Sequence, residues 1–170
     1  MALDIFKFFN RDGALGIESL ARDAPNYIAV TADLSSATWN TVASHEVLTV
    51  TGTVRVRVVI ECTETLADAA DGASIQMGVE GATTAWIGST GAAGAGGNTI
   101  AAGEIWCDTS PADTNGNTGT LALDKIIGGG LDVGYEITGA ALTNGTLVFH
   151  CWWVPISSDG AVIAGAGGSL

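Results

Sequence analysis

The chain predicts an all-β fold, an antiparallel β-sandwich or jelly-roll-like domain with an N-terminal arm. Three observations carry this. Residues 53–66, TVRVRVVIECTETL, alternate strictly: Val54, Val56, Val58, Ile60 and Cys62 share one face, and Thr53, Arg55, Arg57, Glu61 and Thr63 fall mainly on the other. Several further short apolar runs are bounded by Gly, Asn and Asp, as in sandwiches and barrels. No stretch has the helical period and length that a parallel βαβ unit needs.

The composition agrees. Of 170 residues, 47% are hydrophobic, 14% are charged and 24 are Gly, so a substantial core is available while the surface must be made mostly of Thr, Ser, Asn, Gly and Ala. Three regions follow: an arm over 1–26, a β-sandwich over 27–157, and a Gly-rich, extended or mobile tail over 158–170. The arm carries Phe6, Phe8 and Phe9, then GIESLARDAP, one or two helical turns ended by Pro25. After SHEVLTVTG and the alternating run, the remaining strand candidates are NYIAVTADL, SIQMGVEG, TAWIGS, EIWCDT, TLALDKII, LDVGYEIT and the C-terminal GTLVFHCWWVP. Residues 88–99, GSTGAAGAGGNT, are expected to be a flexible loop, and 108–119, DTSPADTNGNTG, a turn-rich excursion.

Net charge is −12 with six Lys and Arg in total. Nucleic-acid binding rests on cations that neutralise phosphate, and anionic membranes attract basic segments, so neither partner is expected. The opening MALDIFKFFNRDGALG lacks the features of a secretory signal, and no apolar run reaches about 18 residues. Synthesis in a reducing cytosol, with Cys62, Cys107 and Cys151 as thiols, is the expectation.

The run His150-Cys151-Trp152-Trp153 looks like a chemical site. On a strand, however, Leu147, Phe149, Cys151, Trp153 and Pro155 point one way, and Val148, His150, Trp152, Val154 and Ile156 the other. His150 and Cys151 therefore do not converge on one metal or form a nucleophile–base pair. Both faces are apolar, which predicts burial on both sides, by a second sheet and a covering arm or by another subunit. The three cysteines lack the close spacing of a zinc site. Asp113, Asn115 and Asn117 alternate as in a calcium loop, but Thr118 stands where the loop needs Gly and Asp124 where it needs Glu. No P-loop, GxSxG or HExxH motif is present. No catalytic residue, metal or cofactor is expected. The expected partner anchors are instead Phe6, Phe8, Phe9, Trp152 and Trp153, with Asn115 and Asn117 as loop contacts.

The C-terminal run VGYEITGAALTNGTLVFHCWWVPISSDGAVIAG resembles the ending of small β-rich virion proteins of tailed bacteriophages. The resemblance rests on Gly145-Thr146, Phe149, Trp153-Val154-Pro155 and Ser158-Asp159-Gly160, about 30 residues in all; the arm matches no pattern of that group. It implies a decoration (cement) protein that binds the major capsid protein on the shell exterior as a homo-oligomer, a trimer being favoured at a symmetry axis. Such a protein would assemble in the host cytoplasm and reside in the virion. The alternative is a tail or fibre accessory, or a carbohydrate- or receptor-binding β-sandwich with Trp39 or Trp86 as sugar-stacking platforms.

Overall fold

The computed structural model describes residues 25–70, 72–93, 99–109 and 125–170. Phe6, Phe8, Phe9, Asn115 and Asn117 lie outside them. The chain is all-β: two antiparallel sheets pack face to face as a β-sandwich, with no helix among the described residues. The strands are β1 (Asn26–Asp33), β2 (Ser44–Thr51), β3 (Val54–Asp68), β4 (Ser74–Val79), β5 (Ala82–Gly91), β6 (Ile105–Trp106), β7 (Lys125–Ile127), β8 (Val133–Thr138), β9 (Leu142–Pro155) and β10 (Ala161–Ala164). One sheet runs β1-β9-β3-β6, with β7 also paired to β3; the other runs β10-β2-β8-β4-β5.

The alternation in β3 becomes its burial pattern. Val54, Val56, Val58, Ile60 and Cys62 enter the core while Arg55 and Arg57 face outward. Its long partner is β9, registered from Val54↔Pro155 to Asp68↔Leu142. The ladder is regular as far as Cys62↔Leu147 and then shifts three times. Gly145 sits in this bulged region with φ +123°, where an added Cβ would come within 2.4 Å of Leu66. Only glycine fits there.

Aromatic packing ties the sheets together. Tyr135 of β8 stacks on Phe149 of β9 with centroids 5.6 Å apart and planes 7° from parallel. Tyr135 donates its hydroxyl to the Trp39 carbonyl at 2.6 Å. The fully buried Trp106 donates its indole N–H to Thr90 Oγ1 at 3.2 Å. His45, also buried, holds Nδ1 and Nε2 at 3.0 and 2.9 Å from the Thr38 and Thr41 carbonyls, which fixes the loop before β2.

Three sequence expectations need correction. Among the described residues β9 is enclosed on one face: Leu147, Phe149 and Cys151 are completely buried, but Val148, His150, Trp152 and Val154 are only half-buried. The sandwich covers each sheet on one side only, and no described residue forms a further layer outside. Residues 88–91 are not loop; they complete β5, and Ala92 and Ala93 are buried. The Ala92 N–H bonds to the Ala73 carbonyl and the Ala92 carbonyl accepts from the Ile100 N–H, which holds this segment in place. Within 158–170, expected to be extended or mobile, the chain is extended and ordered into a strand: β10 pairs with β2 from Ala161↔Thr51 to Ala164↔Leu48. Beyond it the Gly165 and Gly167 N–H groups bond to the Val47 and Glu46 carbonyls, and Glu46 N–H to the Gly168 carbonyl.

Candidate partner-binding face

The outer faces of the two sheets differ in chemistry. On the β2-β8-β4-β5 side, Gln76 Nε2 donates to Thr83 Oγ1 at 3.0 Å and to Glu136 Oε2 at 2.7 Å, and Thr83 donates to the same carboxylate oxygen. That cluster is polar and satisfied within itself, while Ile163 of β10 is exposed at the edge of the same sheet. The outer face of β1-β9-β3 is aromatic and cationic instead.

Register builds that face row by row. Trp152 of β9 stands between Tyr27 of β1 and Arg57 of β3. The next row holds Ala29, His150 and Val59, and the next Thr31, Val148 and Glu61. Toward the other end Val154 and Ile126 flank Arg55. The Tyr27 ring lies 5.3 Å from Trp152 and 6.1 Å from His150, the latter nearly parallel. The Tyr27 hydroxyl is 2.7 Å from His150 Nδ1, and His150 Nε2 is 3.4 Å from Glu61 Oε2. This relay fixes the aromatic cluster; at 3.4 Å its second link is weak.

Beside the cluster lies a groove of about 370 Å3, lined by Pro25, Arg55, Arg57, Val59, Trp152, Trp153 and Val154. Its size is at the lower end of the roughly 300–1,000 Å3 typical of ligand pockets. Exposed Tyr27, Ile126 and Ile156 extend the apolar surface around it. Trp, Tyr and Arg on one face are the residue types that dominate binding energy at protein interfaces.

Of the anchors expected from sequence, Trp152 and Trp153 both line the groove; the Phe cluster and the two Asn lie outside the described residues. Trp39 and Trp86 are packed against the core. Trp39 stacks on Tyr135 at 6.4 Å and meets the backbone at Gly167, so it serves packing. Sequence reasoning missed Arg55, Arg57 and Tyr27 as members of the face. The signal was there: in a chain with so few cations, two stand at i and i+2 on one strand face.

The cysteines are thiols and do not cluster. Burial pushes Cys62 up to about 11 and Cys151 up to about 12. Cys107 is half-buried beside Trp106 and Trp86. Among the described residues, no group of three or more His, Cys, Asp or Glu side chains is placed to hold a metal ion.

No family model matches the chain, and no curated protein matches it. Among solved structures it is similar to a chain in the acidic stable capsid structure of Helicobacter pylori bacteriophage KHP30. The TM-score is 0.48 and the identity 14%, over 82% of this chain and 94% of that one.

Proposed function

We propose that the chain is a non-catalytic structural protein of a tailed-phage virion that binds the outside of the capsid and bridges neighbouring subunits, as a decoration or cement protein. The observation that carries this is the contrast between the two sheet faces. One carries the hydrogen-bonded Gln76, Thr83 and Glu136 cluster, while the other presents Trp152, Tyr27, Arg55 and Arg57 around a groove. The resemblance of the C-terminal run to small virion proteins supplies the kind of partner.

In this reading Trp152 and Trp153 are anchors on the major capsid protein. Phe6, Phe8 and Phe9 form a second set, and Asn115 and Asn117 are peripheral contacts. The work is mechanical. Each apolar Å2 removed from water contributes roughly 25 cal/mol, from which the cost of association is subtracted. Repeated over a symmetric shell, a modest contact per copy gives large resistance to internal pressure. A trimer suits a three-fold position on such a shell. The chain is assembled in the host cytoplasm and ends in the virion, with no nucleic-acid or membrane partner and no cofactor.

The test is co-sedimentation of the purified chain with shells of the virus that encodes it. Saturation at a fixed copy number, lost on Trp152→Ala, is the expected result. Failure to bind at any concentration overturns the capsid reading and moves the assignment to a tail or fibre position.

A further inference from the structure

The two lateral sides of the sandwich are finished differently. On one, β5 is tied down: Lys125 of β7 donates to the Ala85 carbonyl at 3.2 Å, and Trp106 of β6 donates to Thr90. On the other, the edge strands are β1 and β10, which lie beside each other. The Leu34 N–H bonds to the Gly145 carbonyl, so along the unbroken register of β1 with β9 the even-numbered residues aim their main-chain groups at β9. Tyr27, Ala29, Thr31 and Asp33 aim theirs outward. Among the described residues these outward main-chain groups have a single partner: the Asp33 carbonyl accepts from the Ser36 N–H at 3.0 Å. We propose that β1 is the seam of a two-fold dimer, pairing antiparallel with β1 of a second copy about an axis through Ala29.

The edge is complementary to itself. Pro25, just ahead of β1, has no N–H to give, and Asp33 at the far end has its carbonyl engaged. With Ala29 on the axis, Tyr27 falls opposite Thr31, and Pro25 opposite Asp33. The N–H groups of Tyr27, Ala29, Thr31 and Asp33 then meet the Thr31, Ala29, Tyr27 and Pro25 carbonyls of the second copy. The donor that Pro25 lacks falls where Asp33 has no acceptor to offer, and a slip of two residues either way loses that match. The side chains agree: small Ala29 faces itself, Tyr27 faces Thr31 on the outer side, and half-buried Ile28 faces Val30 on the inner side. Charge selects the same approach. Each copy carries −12, yet residues 26–32 and 160–170, which include β10, hold no charged side chain. The two Asp33 carboxylates stand at opposite ends of the seam, roughly 27 Å apart at about 3.4 Å per residue. Within β1 there is no Lys and no bulge, the usual guards of an edge strand. The footprint is smaller than the roughly 20–30 residues a side of a standard interface, so dissociation in the micromolar range is expected.

The contact closes at two copies, in place of the three-fold grouping, and concerns the free chain whether or not its target is a capsid. Sedimentation equilibrium of the full chain, from about 1 to about 500 μM, reads the mass. Hydrogen exchange followed residue by residue by NMR reads the seam. Expected is a mass that rises from 17.1 kDa to twice that value. As the dimer fills, the amides of Tyr27, Ala29, Thr31 and Asp33 should slow at least about tenfold, while those of Ile28, Val30 and Ala32 change little. Ala29→Lys, at an exposed position, sets two like charges on the axis and should weaken association at least about tenfold, with the thermal melt of the dilute chain unchanged. A single-chain mass at every concentration overturns the inference, as does a trimer or a dimer that Ala29→Lys leaves intact. A dimer whose Tyr27, Ala29 and Thr31 amides exchange as fast as in the monomer overturns it too, because its seam lies elsewhere. That last reading is made on the parent chain and needs no variant to fold.

Discussion

At the scale of single residues, enclosure decides reactivity and conformation. Cys151 is fully buried on the core face of β9, and Cys62 on that of β3. Both thiols are held above the ordinary 9.0, at about 12 and about 11, chiefly because burial disfavours the thiolate. At pH 8 a thiol reagent is therefore expected to label neither while the protein is folded, with half-exposed Cys107 labelling first; mass spectrometry of the labelled peptides reads this directly. The linkage has a definite sign. A group whose folded pKa is raised adds stability that is fully present below pH 9 and lost as pH climbs through the folded values. Denaturant midpoints should thus fall between pH 9 and 12, and less steeply in Cys151→Ala. Gly145 makes the complementary point about backbone. At φ +123°, with Leu66 across the bulge, Gly145→Ala meets both an unfavourable conformation and a clash. A loss of about 1–3 kcal/mol from strain alone is expected in urea unfolding; an unchanged midpoint would show that the bulge relaxes freely.

At the scale of the element, β9 separates what a strand's pattern reveals from what it hides. Phe149→Ala removes a fully buried ring stacked on Tyr135 and should cost about 3–5 kcal/mol. Val148→Thr, one position along on the half-buried face, should stay within about 0.5 kcal/mol. Equal costs would restore the doubly enclosed strand that the sequence predicts. The sandwich, nine of its strands and the inward set of β3 were legible because alternation and Gly, Asn or Asp boundaries are local signals. The outward position of Trp152 was legible because the alternation of β9 sets it on the row opposite Phe149 and Cys151. Whether its face is covered was not legible, since cover depends on which elements pack outside the sheet. The edge strand β10 escaped for another reason: Ala161-Val162-Ile163-Ala164 is short, set among glycines, and takes its order from the β2 edge. Val162 is nonetheless core. Val162→Asp is expected to destabilise by several kcal/mol, since it buries an unpaired charge; circular dichroism melts that match the parent would mean β10 is dispensable.

At the scale of the whole molecule, the topology places its largest ladder between distant parts of the chain. β3 and β9 meet with Val54 opposite Pro155, and β1 joins the same sheet with Asn26 opposite Trp153. The central strand of that sheet is thus the penultimate strand in sequence. Neither β1 nor β3 can complete its ladder until almost the whole chain is present, and loop closure over about 100 residues precedes any return from the contact. Folding should therefore be slow, in the millisecond-to-second range of sandwiches with non-local pairing. The order of events follows from the same geometry. The β4–β5 hairpin and the β8–β4 ladder connect nearer neighbours, while β9 must dock on β3 for the core around Phe149 to close. Substitutions on the β3–β9 seam, such as Val58→Ala opposite Cys151, are expected to slow folding by a large fraction of their equilibrium cost. Val162→Ala on β10 is expected mainly to speed unfolding. Stopped-flow chevrons on the two variants test this: a folding arm unmoved by Val58→Ala, with the whole effect in the unfolding arm, would show that the sandwich is nucleated elsewhere and that β9 arrives after the barrier.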